Sequence, residues 1–255
     1  MGKVDHLKWM LAEAGNVVAF TGAGISTESG IPDYRSPGGI WTKMRPIEFG
    51  EFLASAEARR ESWRRKFASH EMMQTATPNA GHRALARLVE QGKMTAIVTQ
   101  NIDGLHQKAG TPAEQVIELH GTMFGVVCVS CGDRSPMAEA LARIEAGEQD
   151  PACGKCGGIL KSATVMFGQP LDPVVFARAE RAATSCDLFL AIGSTLTVEP
   201  AASLCALAAG SGAALVIVNR DPTPYDGLAA EVIREPIGTA VPRLAAQLMQ
   251  AGTGH

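Results

Sequence analysis

The chain lacks the features that mark a membrane or exported protein. Among its 255 residues the longest apolar runs, such as residues 213–218, are far too short to cross a bilayer. Residues 1–15 carry charges throughout, lack the apolar segment of a signal peptide, and are predicted to form an amphipathic helix that ends at Gly15. A myristoylation signal needs Ser or Thr where His6 stands. These absences predict a cytoplasmic protein with no membrane partner.

An excess of positive charge is also missing. The chain has 23 Lys and Arg residues against 26 Asp and Glu residues, which gives a net charge of -3. Proteins that bind nucleic acids usually carry a basic surface, so we expect no nucleic-acid partner. With 46% hydrophobic and 19% charged residues, the composition is that of a globular protein, and the length suits one large domain with an insertion.

Short apolar segments alternate with helical patterns along most of the chain. Strands are predicted at residues 16–20, 95–99, 116–119, 163–167, 187–192 and 213–218, and helices at 79–90, 136–146, 173–184, 200–209 and 239–250. Apolar strands that alternate with helices predict an α/β fold, with a parallel sheet covered by helices on both faces. No strand pattern occurs between residues 37 and 77, where residues 57–73 are predicted to form a helix with a solvated basic face.

Four of the six cysteines form two Cys-x-x-Cys pairs, each followed by glycine: Cys128, Cys131, Cys153 and Cys156. Two such pairs complete a tetrahedral cage of four thiolates, which predicts one structural zinc ion and leaves iron as the alternative metal. Disulfides are not expected in a chain without an export signal. Cys186 and Cys205 lie in apolar runs and are predicted to be buried.

The dinucleotide-binding fingerprint is incomplete. The motif TGAGIS follows the first predicted strand, and Gly22 and Gly24 would let backbone amides approach a pyrophosphate. The third glycine of the fingerprint is absent, because Thr27 stands there, and no acidic residue ends a second strand about 20 positions later. A glycine pair alone is a weak signal, and these gaps weigh against a dehydrogenase that transfers hydride.

Polar residues also follow four other predicted strands: Gln100, Asn101 and Asp103 in TQNID, His120 in ELHG, Gly193, Ser194 and Thr195 in GST, and Asn219 in VNRD. Any one of these could be an ordinary turn residue. Because the carboxyl ends of parallel strands meet at one edge of a sheet, the set together predicts one large polar ligand there.

GAGIS, SGIPDYR, TQNID, ELHG, the four cysteines and FG before Pro170 together resemble the sirtuins, a family of NAD-dependent protein-lysine deacylases. The resemblance runs in the family's order from about residue 16 to 240. It implies a Rossmann-like domain of residues 1–39, 76–120 and 163–255, a helical insertion at 40–75 and a zinc-binding module at 121–162. It also implies that NAD is a co-substrate that is cleaved, which suits the incomplete fingerprint.

The resemblance also implies roles for individual residues. His120 is the expected general base, and Asn101 is the second expected catalytic residue. The implied NAD-binding residues are Gly22, Ala23, Gly24, Ile25, Asp33, Tyr34, Arg35, Gln100, Asn101, Ile102, Asp103, Gly193, Ser194, Thr195, Asn219 and Ala240. The substrate peptide, which carries an acylated lysine, is expected to bind beside Val165, Phe167, Gly168 and Val198.

Two other functions share these motifs: a mono-ADP-ribosyltransferase on the same scaffold, and an inactive NAD-binding or zinc-ribbon module. The acyl group is expected to be acetyl or another neutral group. An acidic acyl group would want a Tyr and Arg pair in residues 40–75, but the two tyrosines are Tyr34 and Tyr225. The chain departs from the family pattern at Tyr34, where Phe is more usual, at Gln169, which replaces an acidic residue, and at Ala163, near a common proline.

Overall fold

The centre of the molecule is a parallel sheet of six strands. The computed structural model describes residues 10–251. Its strands are β1 Val17–Thr21, β2 Met94–Thr99, β3 Val116–Glu118, β4 Gly121–Cys128, β5 Arg134–Pro136, β6 Leu160–Thr164, β7 Leu188–Ile192, β8 Ala214–Val218 and β9 Glu231–Ile233. The parallel sheet has the order β3-β2-β1-β7-β8-β9, so the chain moves to one side of β1 and then to the other. Ligands bind at such a switch point in open α/β sheets.

Helices cover both faces of this sheet, as the apolar strands predict. They are α1 Ile40–Lys43, α2 Phe49–Ala54, α3 Ala56–Thr75, α4 Ala80–Glu90, α5 Leu105–Lys108, α6 Met137–Glu145, α7 Pro173–Ser185, α8 Ser203–Gly210 and α9 Ile237–Ala251. One apolar cluster joins the sheet to α4 and α9, and a second joins the other face to α7 and α8. No helix within residues 10–251 is long and apolar enough to cross a membrane.

The ends of these helices follow their sequences. Asn79 caps α4 by accepting from the Gly81 and His82 amides, and Asp172 caps α7 just before Pro173. Residues 10–13 are helical, and the rest of the helix predicted before Gly15 lies outside the described residues.

A second, smaller sheet carries the cysteine pairs. Strand β4 pairs antiparallel with β5 on one side and with β6 on the other. Trp63 of α3 is buried in one cluster with Val126, Met137 and Leu160 of this sheet and of α6. Residues from the helical segment and from the cysteine segment therefore share one small apolar core, separate from the two clusters of the main sheet.

Three sequence predictions differ from the structure. The strand predicted at 163–167 is β6 at Leu160–Thr164, and it belongs to the antiparallel sheet. Residues 165–167, which were predicted to end this strand, lie outside the sheet and border a cleft. Strands β4, β5 and β9 were not predicted. The basic face of α3 is only partly solvated: Arg60 and Arg64 are exposed, whereas Arg59 pairs with Asp150.

Candidate active site

A cleft of about 2340 Å³ opens at the carboxyl ends of β1, β2, β7 and β8. Most residues predicted for NAD and peptide binding border it: Gly22, Ala23, Gly24, Asp33, Tyr34, Arg35, Gln100, Asn101, Ile102, His120, Val165, Phe167, Gly168, Gly193, Ser194, Thr195, Val198 and Asn219. Ile25 and Ala240 do not border it, since both are fully buried in the apolar cluster under α4 and α9. Asp103 lies next to the cleft and is 4% exposed.

The loops after β1 and β7 touch each other through glycine. The Gly24 amide donates to the Gly193 carbonyl at 2.8 Å, and a Cβ added to Gly24 or Gly22 would lie 2.8 Å from Gly193 backbone atoms. Gly193 itself has a φ of +64°. The glycines therefore allow two backbone loops to pack closely at the edge of the cleft. The absence of side chains there also leaves room for a ligand.

Gly193→Ala is expected to destabilise the protein by more than about 2 kcal/mol, because a left-handed backbone alone costs a residue with a Cβ about 1–2 kcal/mol. The added Cβ would also lie 2.5 Å from the Ile25 nitrogen. Urea unfolding measures the loss. Gly210→Ala, at the end of α8 with no atom within 4 Å of its new Cβ, is the matched control and should be neutral or stabilising. Equal stability of the two variants would contradict the prediction.

Ser26, Asn101 and Asp103 form a buried hydrogen-bonded group beside the cleft. The Ser26 hydroxyl donates to Asp103 Oδ2 at 2.7 Å, and Asn101 Nδ2 donates to Ser26 Oγ and to the Gly22 carbonyl, each at 3.1 Å. Burial raises the pKa of Asp103, although donors from Leu105 and Ser26 oppose the shift. The group fixes the Asn101 side chain against the glycine loop. Sequence reasoning gave Ser26 no role, although it lies in the quoted GAGIS motif.

Two other histidines lie beneath the site in a buried cluster. Thr21 Oγ1 donates its single proton to Thr99 Oγ1 at 2.8 Å. Thr21 Oγ1 therefore accepts from His106 Nε2 at 2.9 Å. The His82 ring lies 5.0 Å from the His106 ring, and His82 Nδ1 accepts from the Asn79 amide. Burial lowers the pKa of His82 to about 4 and that of His106 well below its ordinary value. Both rings are therefore neutral at pH 7.

Among residues 10–251, His120 is the histidine that borders the cleft. Its Nδ1 lies 2.8 Å from the Gln100 carbonyl oxygen. A carbonyl can only accept, so Nδ1 carries the proton and Nε2 holds the lone pair of the neutral ring. Burial lowers the pKa of His120, while the hydrogen bond to the Gln100 carbonyl opposes the shift. The ring is therefore held as a base with a free Nε2.

Gln100 links three parts of the site. Its backbone amide donates to the Thr21 carbonyl at 2.9 Å, and its side-chain Nε2 donates to Ser194 Oγ at 2.8 Å. Its carbonyl orients His120. Ser194 Oγ also accepts from the Leu196 amide at 3.2 Å. The ends of β1, β2 and β7 are thus held together around one residue.

The segment after the 3-10 helix Ala23–Ser29 folds over the cleft through aromatic contacts. The Tyr34 ring packs 5.2 Å from Trp41, and Trp41 packs 5.2 Å from Phe167. The Arg35 guanidinium lies 4.2 Å from the centre of the Trp41 ring. Burial, followed by the charge of Asp103, raises the pKa of Tyr34, so its hydroxyl stays protonated at neutral pH. Sequence reasoning missed Trp41, which no motif singled out.

The Asp33 carboxylate closes the turn of this segment. It accepts from the amides of Arg35 and Ser36, at 3.1 and 2.8 Å, and from the Ser36 hydroxyl at 2.6 Å. After β8, Asn219 Nδ2 donates to the Asp221 carbonyl at 2.8 Å, and Arg234 donates to the Asn219 carbonyl at 2.8 Å. The end of β8 is therefore a fixed rim, whereas the Arg35 and Arg220 side chains remain exposed there.

The predicted peptide-binding residues lie along another border of the cleft. The Val165 amide donates to the His120 carbonyl at 2.8 Å, and the Phe167 carbonyl accepts from the Phe49 amide at 2.8 Å. The Phe167 side chain is an exposed large apolar group, and Gly168 turns the chain with a φ of +76°. Val198 borders the same cleft. Apolar surface therefore lies close in space to the base, although it is distant in sequence.

The four paired cysteines converge at one point of the small sheet. All four sulfurs lie within 4.8 Å of one another, with Cys128 Sγ 3.5 Å from Cys156 Sγ and Cys131 Sγ 3.8 Å from Cys153 Sγ. Zn–S bonds of about 2.3 Å in a tetrahedron require sulfur separations of about 3.8 Å. All are free thiols. The donor set fits one zinc ion.

The glycine after each cysteine pair adopts the backbone that such a turn needs. Gly132 and Gly157 have φ values of +72° and +70°, and their amides donate to the carbonyls of Cys128 and Cys153. Backbone amides of Cys131 and Ser130 lower the pKa of the Cys128 thiol to about 6. The thiolate is the form that binds a metal.

Comparison with known proteins agrees with this geometry. The model of the Sir2 family matches residues 22–200. The chain is 52% identical over 232 residues to NAD-dependent protein deacetylase 2 of Streptomyces coelicolor, covering 89% of this chain and 95% of the relative. It is also 52% identical over 237 residues to NAD-dependent protein deacetylase 1 of Bradyrhizobium diazoefficiens, covering 92% of each chain.

A solved Sir2 structure with a deacetylated p53 peptide and 3'-O-acetyl ADP-ribose superposes with a TM-score of 0.84 at 33% identity, covering 99% of each chain. The family match spans well over half of the sequence and includes the glycine loop, the Gln100–Asp103 segment, His120 and the four cysteines. The chain therefore belongs to the Sir2 family, the sirtuins.

Proposed function

We propose that this chain removes acetyl groups from lysine side chains of proteins and consumes NAD in the reaction. The observation that carries the proposal is His120, a neutral base with its lone pair on Nε2, in the cleft that the two glycine loops border. The relatives named NAD-dependent protein deacetylases support it. The chemistry is acyl transfer to ADP-ribose, with nicotinamide, free lysine and O-acetyl-ADP-ribose as products.

The two loops would hold the nucleotide. The implied contacts to the pyrophosphate and its neighbouring ribose are Ala23, Gly24, Ser194 and Thr195, because backbone amides and hydroxyls after strands suit anionic oxygens. Asn219 would contact the adenosine end. Ile25 and Ala240 were predicted to bind NAD; because both side chains are buried, they would instead shape the loop and α9 from behind.

Gln100, Asn101, Ile102 and Asp103 would surround the nicotinamide and its ribose. Asn101 is held by Ser26 and the Gly22 carbonyl, so its side chain is pre-positioned. The segment with Asp33, Tyr34 and Arg35 would cover the reacting sugar and exclude water, with the Tyr34 ring packed on Trp41. This arrangement favours attack by the acetyl oxygen over attack by water.

His120 would act after nicotinamide leaves. The acetyl carbonyl oxygen bonds to the ribose carbon as the bond to nicotinamide breaks, and His120 Nε2 then takes a proton from a ribose hydroxyl. That oxygen attacks the acyl carbon, and addition of one water molecule releases the free lysine. A neutral imidazole with a lowered pKa is in its base form at neutral pH, as this step requires.

The zinc ion would have a structural role. Four protein thiolates leave no open position for a substrate, so Cys128, Cys131, Cys153 and Cys156 would hold the metal to stabilise the small sheet. We also propose the division into a Rossmann-like domain, a helical insertion at 40–75 and a zinc-binding module at 121–162. A cytoplasmic location belongs to the same proposal, because thiols that bind a metal must stay reduced.

The experiment that tests this function is a product assay. The purified protein is incubated with an acetyl-lysine peptide, with and without NAD, and both peptide and nucleotide products are identified by mass spectrometry. Loss of acetyl only with NAD, together with acetyl-ADP-ribose, is the expected result. Nicotinamide release with ADP-ribose attached to protein and the acetyl group untouched would instead establish the ADP-ribosyltransferase. Binding of NAD without turnover would establish the inactive module.

A further inference from the structure

Arg59 of α3 lies at a contact between three segments of the chain. Its Nε donates to Asp150 Oδ2 at 2.7 Å, and its Nη1 donates to the carbonyls of Phe52 and Leu53, at 3.3 and 3.2 Å. The Arg59 and Asp150 side chains are only 15% and 24% exposed. A hydrogen-bonded ion pair that is largely shielded from water holds its segments more firmly than a surface pair does. Arg59 is not among the residues that border the cleft, so it would not touch a substrate there.

The Arg59 guanidinium completes the end of α2. The carbonyls of Phe52 and Leu53 belong to the last turn of that helix, Phe49–Ala54. Carbonyls at the end of a helix need partners from outside it, and the helix dipole favours a cation there. A helix of six residues is not stable alone, so contacts with other segments determine where α2 lies. Arg59 therefore ties the end of α2 to the segment that contains Asp150.

The beginning of α2 contacts the border of the cleft where the substrate peptide is expected. The Phe49 amide donates to the Phe167 carbonyl at 2.8 Å. The Phe52 side chain is 1% exposed and also borders the cleft. The Phe167 ring in turn packs on Trp41. A shift of α2 would therefore move the Phe167 backbone and the surface of the cleft beside it.

Asp150 holds the same contact from the cysteine segment, because it lies three residues before Cys153. Cys153 and Trp63 belong to one buried apolar cluster. Trp63 follows Arg59 by four residues on α3, and residues four apart share one face of a helix. That face of α3 is therefore attached to the cysteine segment at two neighbouring points, one apolar and one charged.

We propose that Arg59, paired with Asp150, is a positioning residue for the peptide substrate. The pair holds α2 where its first amide meets the Phe167 carbonyl, and this contact sets the border against which the peptide binds. The His120 ring is held by a different contact, the carbonyl that follows β2. The pair therefore acts on peptide affinity and not on the chemical step. This inference rests on the proposed deacylase function.

The test measures steady-state deacetylation of an acetyl-lysine peptide by Arg59→Met. KM for the peptide should rise about tenfold, the scale of one charge-assisted hydrogen bond. Both kcat and KM for NAD should change less than about twofold, because the lost interaction concerns peptide binding alone. Arg59→Lys keeps the cation and should restore most of the peptide affinity. Arg60→Met, which removes an exposed cation from the same helix, is the matched control and should keep all three constants.

A double-variant comparison tests the pairing itself. Asp150→Asn alone should raise KM for the peptide, and the variant that combines it with Arg59→Met should have the KM of Arg59→Met alone. Multiplied effects would mean that the two side chains act independently, and would overturn the pair. The zinc content of each variant should stay at about one ion per chain. Loss of zinc in Arg59→Met would mean that the pair supports the metal site only, and would also overturn the inference.

The outcomes separate this inference from the proposed function. An unchanged peptide KM in Arg59→Met, or a fall of kcat in place of a rise of KM, would overturn the positioning role and leave the deacylase standing. If Arg59→Met does not fold, Asp150→Asn decides, and an unchanged peptide KM in that variant would overturn the role. No turnover by the unmodified protein would overturn the deacylase. Calorimetric titration with the acetyl-lysine peptide then replaces KM, and equal affinities of the unmodified and variant proteins, or no binding to either, would overturn the role.

Discussion

His120→Ala is expected to lower NAD-dependent deacetylation by about 10²- to 10⁴-fold, the usual contribution of a positioned general base. The reason is geometric, because His120 is the cleft-bordering histidine and its Nδ1 bond to the Gln100 carbonyl leaves Nε2 available. The ring is only partly buried and this bond is its one hydrogen bond, so the variant should fold. Nicotinamide release with an acetyl-lysine peptide measures the loss, and thermal unfolding checks the fold.

The pH profile distinguishes a base from a residue that only supports the fold. Since burial lowers the pKa of His120, kcat/KM of the unmodified protein should fall at a pH below the ordinary histidine value of 6.5, as the ring becomes protonated. The residual activity of His120→Ala should lack this step. His70→Ala, on α3 and against Phe124, is the matched control and should keep both the rate and the profile. Retained turnover in His120→Ala would contradict the assignment.

Cys156→Ala is expected to reduce bound zinc from about one ion per chain to near zero and to remove most of the activity. A cage of three thiolates loses affinity, and structural zinc contributes about 10–16 kcal/mol of apparent binding free energy to small zinc domains. Loss of the metal should also destabilise the small apolar core, because Cys128 and Cys153 are buried in one cluster with Trp63. Elemental analysis measures the metal, and thermal unfolding reports the stability of the variant.

Cys186→Ala serves as the matched control for the metal site. Cys186 is a buried free thiol beside α7, and it packs in the apolar cluster under α7 and α8. Its removal should leave the zinc content unchanged and cost only about 1 kcal/mol of stability. Treatment of the unmodified protein with a chelator should reproduce the Cys156→Ala result, and added Zn²⁺ should reverse it. Full activity in metal-free protein would refute the structural role of zinc.

The main sheet was predictable because its strands are continuous apolar runs. Every residue of β1 and β7 is buried, and such strands keep their pattern whatever surrounds them. Strand β9, Glu231–Ile233, is three residues long and has a single buried residue, Ile233, so it left no apolar run. Strand β4 contains two glycines and a register shift between Gly121 and Val126, which break the alternation of a strand. Local sequence carries no signal for such irregular pairing.

Much of the candidate site was also predictable, since polar residues that follow parallel strands must meet at one edge of the sheet. Gln100, His120, Ser194 and Asn219 border the cleft for this reason. The contacts of Arg59 were not predictable, because they depend on how α3 packs against the segment that contains Asp150. Trp41 likewise acquires its place only when residues 33–41 fold against Phe167. The positions of these side chains depend on contacts between segments that are distant in sequence, and the motifs alone do not encode such contacts.

The hydrogen bond that fixes the His120 ring comes from a peptide carbonyl and not from a side chain. Every amino acid supplies that same group at position 100, so no single substitution of Gln100 can delete the acceptor. Exchange of its side chain would remove the bond to Ser194 and leave the imidazole tautomer in place. The tautomer of the base is thereby insulated from substitution at position 100. A change of chain length between β2 and His120, which shifts this carbonyl, is the kind of alteration that could disturb it.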